Sequence, residues 1–292
     1  GGVIADNNGT WASSANGYWE NAAKWSSNTI ASGIDSTATF NGALGTTVTL
    51  LNNLTIGNLA FSVEDYTIAG ATLTLDTSAT TPFVSVGSGR TATISANLAG
   101  IVGLEKTGAG TLVLTGNKSY TGGTTVTNGT LELQGANSGN AQIHGSLTVG
   151  TGATVLFTGG DGTGFGYFNN PVTSTLVDGG TIDAVSGSHL GFGPFMTMTL
   201  DNGGTLQGTW QWNGDGLLAF SSYGDITNTI SGSVTLRPDN GANHTFFVDD
   251  GASATDLQVD ANLSDQWPEV NWVTASGLTK SGTGTMVLNG AN

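Results

Sequence analysis

The sequence predicts an all-β protein built as a parallel β-helix, a β-solenoid in which each coil packs on the next. Gly accounts for 47 of the 292 residues, 9% are charged and 37% are hydrophobic, a composition typical of many short strands rather than of disorder. Apolar residues alternate with Thr at period two, and a turn-plus-strand phrase recurs every ~20–30 residues, as it does in solenoids. We find no convincing amphipathic helix; residues 20–26 form at most a short turn bounded by Trp.

The period-two alternation predicts the individual strands. In each of them apolar side chains fall on one face and Thr on the other, as in a strand with one buried side. The pattern is clearest in five segments, at residues 46–50, 71–75, 111–114, 130–133 and 196–200.

The corners between strands are predicted from a repeated turn phrase. It reads VDGGTI at residues 177–182 and LDNGGTL at residues 200–206. Gly supplies the positive φ that a corner needs, and Asn or Asp hydrogen-bonds its own turn. Some strands are also spaced closely enough for a β-sandwich, with one every ~8–12 residues. The recurring corner phrase favours the solenoid.

The first 45 residues are predicted to be an irregular cap with lead-in strands. Trp11, Trp19 and Trp25 are expected to close the first coil, because an open solenoid end must be covered against edge-to-edge pairing. Residues 46–292 are then predicted to form one continuous solenoid domain.

Charge and composition exclude several functions. The formal charge of −15 makes nucleic acid an improbable partner, because phosphates would be repelled. The chain has no Cys, which excludes disulfides, thiol catalysis and thiolate metal sites. It has no run of 18 apolar residues, so no membrane-spanning helix is expected.

One phrase is written twice. GLEKTGAGTLVLTGNK at residues 103–118 returns as GLTKSGTGTMVLNGAN at residues 277–292, and both copies predict strand, bend and strand. Lys106 and Lys280 occupy the same place and are interpreted as edge charges that keep a strand from pairing wrongly. The second copy has no counterpart of YTGGTT at residues 120–125. Either the chain is a piece of a longer protein, or another subunit completes the coil and a head-to-tail filament forms.

The first copy and its continuation resemble a known family. GLEKTGAGTLVLTGNKSYTGGTTVTNGTLEL at residues 103–133 is similar to the passenger-associated transport repeat of bacterial autotransporter passenger domains. The resemblance implies a right-handed parallel β-helix that is exported across the outer membrane and displayed on the cell surface or secreted. Such passengers commonly act as adhesins, stalks or scaffolds, and some carry an enzymatic domain.

Catalytic motifs are scarce. Gly-Asp-Ser-Gly and Gly-x-Ser-x-Gly are absent, and His144, His189 and His244 lie apart with no partner at motif spacing. A second set of candidates consists of carboxylates that stacked coils could align as in inverting glycosidases, although corner positions are the alternative. These are Asp249, Asp250, Asp256, Asp260 and Asp265.

No cofactor is expected. The segment GGDGTGFG at residues 159–166 faintly resembles calcium-binding nonapeptide repeats, so Ca²⁺ remains an open alternative. A single copy argues against it, since such sites need tandem copies to complete their ligand set.

Aromatic residues in the second half raise a carbohydrate-binding hypothesis. Rings flanked by amides and carboxylates can stack on a sugar, whereas the alternative is that they pack inside the solenoid. The candidates are Trp210, Trp212, Tyr223, Trp267 and Trp272.

The predicted function is therefore that of a non-enzymatic, extracellular or cell-surface β-solenoid: a passenger-type stalk, adhesin or scaffold. Its partner is expected to be a host or environmental surface or a glycan, with self-association through open solenoid ends as a further expectation. The alternative is a carbohydrate-binding or carbohydrate-active module on the same fold.

Overall fold

A computed structural model describes most of the chain, and it places the described residues in two compact units. Unit 1 is Gly1–Gly135 and unit 2 is Ala136–Asn292. The described residues are 6–134, 142–159, 172–185, 190–192, 196–212, 219–237, 243–265 and 275–291. Within them, helix is limited to two 3₁₀ turns, Ala22–Lys24 and Ser26–Asn28. The predicted all-β class is confirmed.

Over its described residues, unit 1 is a parallel β-solenoid of fourteen short strands. They are β1 (Gly9–Trp11), β2 (Gly17–Tyr18), β3 (Gly33–Phe40), β4 (Thr47–Leu50), β5 (Leu54–Phe61), β6 (Tyr66–Gly70), β7 (Leu73–Leu75), β8 (Phe83–Val86), β9 (Thr91–Ile94), β10 (Leu98–Ala99), β11 (Leu104–Thr107), β12 (Thr111–Leu114), β13 (Thr124–Val126) and β14 (Thr130–Leu133). Each pairs in parallel with strands of the neighbouring coils, which confirms the predicted architecture.

Three faces make up a coil of unit 1. One sheet runs β1-β3-β5-β8-β11-β13 and a second runs β2-β4-β6-β9-β12-β14. The long strand β5 serves two faces, because its first half pairs with β7 and its second half with β8. Strands β7 and β10 thus form the third, shorter face.

Unit 2 repeats the same design. Its strands are β15 (Gly145–Val149), β16 (Thr154–Phe157), β17 (Val172–Asp178), β18 (Thr181–Ala184), β19 (Leu190–Phe192), β20 (Thr197–Asp201), β21 (Thr205–Trp212), β22 (Ala219–Tyr223), β23 (Asn228–Ile230), β24 (Ser233–Leu236), β25 (Asn243–Val248), β26 (Leu257–Val259), β27 (Asn262–Ser264), β28 (Gly277–Ser281) and β29 (Met286–Leu288). One face runs β15-β17-β20-β22-β25-β28, the next β16-β18-β21-β23-β26-β29, and the second half of β21 begins a third face with β19, β24 and β27.

Inward side chains stack in columns that form the core. In unit 1 one column runs Val48–Ile68–Ile94–Leu114–Leu133, and each member is at most 2% exposed. Fully burying such a side chain contributes about 1.5–3 kcal/mol. Because the side-chain period of a strand is two, a register slip of one residue would turn the whole column to solvent, so the columns fix the register.

The aromatic cap predicted at the N-terminus is confirmed. Trp11, Trp19 and Trp25 are buried, and Trp25 lies edge-on to both of the others, with ring centroids 5.4 Å and 5.0 Å apart. The Trp19 Nε1 donates to the Ala31 carbonyl at 2.8 Å. Phe40 continues the cluster into the first coils, since it contacts Trp19 and stacks on Phe61 at 4.6 Å.

The corner phrases form the turns that the sequence predicts. In LDNGGTL, Asn202 and Gly203 have φ values of 50° and 85°, and the Gly204 amide donates to the Asp201 carbonyl at 2.9 Å. The next strand, β21, then begins at Thr205. The division into a cap at residues 1–45 and one solenoid at residues 46–292 stays a prediction.

Phe40→Ala should destabilise unit 1 strongly. Phe40 is fully buried among aromatic rings, and its removal is expected to cost about 3–5 kcal/mol. Urea unfolding followed by Trp fluorescence would show a lower midpoint. The matched control is Thr39→Ala, which alters the neighbouring outward residue of the same strand and should shift the midpoint little. Equal midpoints for wild type and Phe40→Ala would contradict the aromatic core.

Candidate functional site

The first repeat copy carries a buried lysine. Lys106 points inward from β11 and is 0% exposed, in register with Val84 of one neighbouring coil and Val126 of the other. Its Nζ donates to the carbonyls of Thr107 at 2.8 Å and Gly108 at 2.7 Å, and to that of Asn128 at 3.1 Å. An ammonium has three N–H donors, and all three find carbonyl acceptors. Lys106 thereby links its own corner to the corner of the next coil.

A second buried lysine does the same at another corner. Lys118 is 2% exposed, and its Nζ donates to the Leu114, Gly116 and Gln134 carbonyls at 3.3, 2.9 and 3.0 Å. Burial lowers the pKa of Lys106 and of Lys118 from the usual 10.5 to about 8. Sequence reasoning missed Lys118, and its position inside the repeat phrase was the only available signal.

The interpretation of Lys106 as an edge charge is wrong. The Lys106 side chain lies inside the coil because it is two residues after the buried Leu104 on β11, and side chains two residues apart on a strand face the same side. Lys280 in the second copy is half-buried, and its Nζ donates to the Gly282 carbonyl at 2.7 Å, the counterpart of the bond to Gly108. Both copies therefore use this lysine to bind a corner carbonyl.

A buried tyrosine completes the first repeat. Tyr120 is 1% exposed, and its hydroxyl forms a 2.7 Å hydrogen bond with the Thr124 hydroxyl. Burial raises the pKa of Tyr120 to about 12, while the bond to Thr124 opposes that rise. The polar side chains of Lys106, Lys118 and Tyr120 in the first repeat therefore form their hydrogen bonds inside the coil and not on its outer face.

Among the described residues of unit 2, two aromatic rings are exposed on the outer face. Tyr223 at the end of β22 is 39% exposed and Phe247 in β25 is 37% exposed, with ring centroids 5.7 Å apart. Sequence reasoning selected Tyr223 and missed Phe247. The signal was present, because two consecutive Phe residues in one strand face opposite sides, and Phe246 is buried.

An internal amide fixes the corner beside Tyr223. Asn228 is 0% exposed, and its Oδ1 accepts the Gly203 and Gly204 amides at 3.0 and 2.8 Å. Its Nδ2 donates to the Tyr223 carbonyl at 2.7 Å and to the Ser222 hydroxyl at 2.9 Å. The end of β22 is therefore held against the preceding corner.

The other aromatic candidates are placed differently. Trp210 and Trp212 are 0% and 1% exposed, and Trp212 packs on Phe220 and Phe246 with centroids 5.5 and 4.9 Å apart. This packing is the alternative considered for these rings, because neither has an exposed face for a sugar. Trp267 and Trp272 lie outside the described residues, and a sugar contact at Tyr223 stays a prediction.

The acidic candidates are spread over several corners. Asp256 is buried, and its carboxylate accepts the Gly251 amide at 2.9 Å and the Thr285 amide at 2.7 Å. The Asp260 carboxylate accepts the side-chain amides of Asn289 and Gln258, and these bonds lower its pKa. These two residues therefore hold corners, which is the alternative considered for them.

The remaining acidic candidates lie elsewhere. Asp249 and Asp250 are exposed directly after β25. Asp265 lines a groove of about 280 Å³, together with Leu236, Leu263, Ser264, Ser276, Leu278 and Leu288.

The described part of the chain contains two of the three histidines. His144 and His244 are buried, and the His244 Nε2 lies 3.0 Å from the Arg237 carbonyl. His189 and residues 160–166 of the calcium-like segment are outside the described residues. Among those described, no three His, Asp or Glu side chains lie close enough to share a metal ion. A search of the same residues for a helix long and apolar enough to cross a membrane finds none.

The buried lysines predict an unusual pH dependence. Between pH 8 and 10.5 the folded chain releases protons that the unfolded chain still holds, so the free energy of unfolding should rise with pH. Each lysine contributes at most about 1.4 kcal/mol per pH unit. Above pH 10.5 the trend should reverse, because the lysines are then largely neutral in both states while folded Tyr120 keeps its proton up to about 12.

Urea titrations at pH 7, 8, 9 and 10 would measure this slope in wild type and in Lys106→Met/Lys118→Met. The double variant should lose the rise. The control Lys24→Met removes a partly exposed lysine of the same unit and should keep it. A flat wild-type profile would contradict the burial of the two ammonium groups.

Comparison with known proteins identifies the repeat and a relative. The family model for the passenger-associated-transport-repeat matches residues 104–133 and 278–292. The chain is 33% identical over 309 aligned residues to "Adhesin BmaC autotransporter" from Brucella suis biovar 1 (strain 1330). That alignment takes in 99% of this chain and 8% of the relative, so the chain spans less than a tenth of that protein. No solved structure matches the chain significantly.

Two copies of this repeat on a parallel β-solenoid, together with similarity to an adhesin along nearly the whole chain, agree with the resemblance seen in the sequence. The chain therefore carries the passenger-associated transport repeats of autotransporter passenger domains.

Proposed function

We propose that this chain is part of a non-enzymatic adhesin displayed on a bacterial surface, in which the solenoid presents contact residues to a host or environmental surface. The observation that carries the proposal is the 33% identity, over 99% of this chain, to a protein named as an autotransporter adhesin. The chain corresponds to only 8% of that relative, so it would supply one segment of a much longer contact surface.

The fold supports a role in contact. Inward residues and corner side chains hold the coils together, whereas the outward side chains of each strand lie outside the core. On β20, for example, Thr197 and Thr199 face outward while Met198 and Leu200 are buried. Outward residues can therefore change without loss of the fold, as a recognition surface requires.

Beads coated with the purified chain test the proposal. They should attach to epithelial cells or to immobilised matrix at least tenfold more than albumin-coated beads, and soluble folded chain should compete. A parallel screen of polysaccharides should show no release of reducing ends. Attachment no higher than that of albumin beads on every surface would contradict the adhesin function, and released reducing ends would favour the carbohydrate-active alternative.

Head-to-tail self-association remains a separate hypothesis. A concentration series by light scattering tests it: a filament-forming chain would increase in mass with concentration. A constant monomer mass over a hundredfold range would exclude the filament for this chain, and the adhesin proposal would be unaffected.

A further inference from the structure

One outer face of unit 2 combines exposed rings with a line of carboxylates. Asp178, Asp201 and Tyr223 are in register at the ends of β17, β20 and β22. The Asp249 amide donates to the Ser222 carbonyl, which places Asp249 next in that line. We call Asp178, Asp201, Tyr223 and Asp249, together with Phe247 beside Tyr223, the acidic–aromatic surface.

Two carboxylates of this surface have no partner of their own. Within the described residues, neither a hydrogen bond nor an ion pair reaches the carboxylate of Asp201 or of Asp249. A Cβ added at Gly224 would lie 2.5 Å from Asp201 Oδ1, so this carboxylate sits directly beside the residue that follows Tyr223. Asp178 is the exception, because its Oδ1 accepts the Asn202 side-chain amide at 2.9 Å.

Negative charge predominates in unit 2, which carries this surface. Unit 2 contains 13 of the 21 Asp and Glu residues of the chain but only two of its six Lys and Arg residues, Arg237 and Lys280. In the described part of unit 2, none of the carboxylates forms an ion pair. A cationic partner would therefore meet an uncompensated negative field, which both attracts it and orients it.

The chemistry of the surface selects a guanidinium group among cations. An exposed ring attracts a cation over its face, and the flat guanidinium also stacks on the ring. A carboxylate beside the ring can accept two parallel N–H bonds from the same guanidinium. Tyr223 with Asp201 on one side and Asp249 on the other offers both kinds of contact.

The spacing fits an extended chain. Neighbouring coils lie about 4.8 Å apart, so the carboxylates that flank Tyr223 are separated by about 10 Å. Side chains three residues apart in an extended or polyproline-type segment are separated by a similar distance, at about 3.1–3.4 Å per residue.

We propose that the acidic–aromatic surface binds an extended polypeptide segment with arginines three residues apart. One guanidinium stacks on Tyr223 and Phe247, and the arginines of the segment pair with the carboxylates of Asp201 and Asp249. This inference rests on the proposed adhesin function, for which it names a partner class. The segment would lie on the outward side of β20, β22 and β25, so its binding requires no rearrangement of the core.

A fluorescent nine-residue peptide with Arg at every third position, otherwise Gly and Ser, tests the proposal by anisotropy. The same peptide with Lys, and with the uncharged isostere citrulline, serves for comparison. The arginine peptide should bind at least fivefold more tightly than the lysine peptide, and citrulline should abolish binding. Equal binding of the Arg and Lys peptides would overturn the proposal, because only unspecific charge attraction would remain.

Variants locate the site. Tyr223→Ala/Phe247→Ala and Asp201→Asn/Asp249→Asn should each weaken arginine-peptide binding at least tenfold, and the aromatic variant should also lose the preference for Arg over Lys. The control Asp183→Asn/Asp265→Asn removes the same charge from other faces of unit 2 and should weaken binding less than twofold. Equal losses in the acidic variant and the control would reject this location.

Bead attachment separates the inference from the function on which it rests. If wild-type beads attach and Tyr223→Ala/Phe247→Ala beads attach equally well, this surface is rejected while the adhesin function stands. If wild-type beads do not attach, the proposed function fails, whatever the peptide result. A neutral glycan that binds wild type and is lost in Tyr223→Ala would replace the polypeptide by a carbohydrate partner.

Discussion

The structure depends on a single constraint: a coil of a parallel solenoid cannot satisfy its own backbone. Each strand donates to and accepts from the coils before and after it, and each corner leaves carbonyls that need a partner. The other features of the structure therefore maintain the register between the strands of neighbouring coils. Columns such as Val48–Ile68–Ile94 fix it through apolar packing, because a slip of one residue would expose the whole column.

Buried polar side chains solve the remaining problem at the corners. Lys106 and Lys118 each donate to three carbonyls, two near their own corner and one in the next coil, and Asn228 and Asp256 bind corner amides in unit 2. An ammonium is costly to bury, and the lowered pKa of both lysines reflects that cost. A repeat that carries such a lysine ties two successive corners together, which gives its sequence a structural reason to recur.

Because inward side chains and corners hold the fold together, the outer face of the solenoid is available for binding. Packing and hydrogen bonds constrain the inward positions and the corners. Outward side chains such as those of Thr199, Tyr223 and Phe247 lie outside the core. The acidic–aromatic surface uses that freedom: register places residues from three successive strands in one line, although they are more than 20 residues apart in sequence. A solenoid is thus a scaffold on which distant residues become neighbours at a fixed spacing.

The period, the all-β class, the corner turns and the aromatic cap can be predicted from the sequence, because alternation, Gly-rich corners and clustered Trp are local signals. The side of the coil on which a polar or aromatic residue lies follows only from the three-dimensional packing of the coils. Lys106 was predicted to be an edge charge and is a buried corner ligand. For Trp210 and Trp212 the sequence left exposed and buried placements open, and both are buried in the core, whereas Phe247 of β25 is exposed. Burial depends on the register between coils, and contacts between residues far apart in the chain set that register.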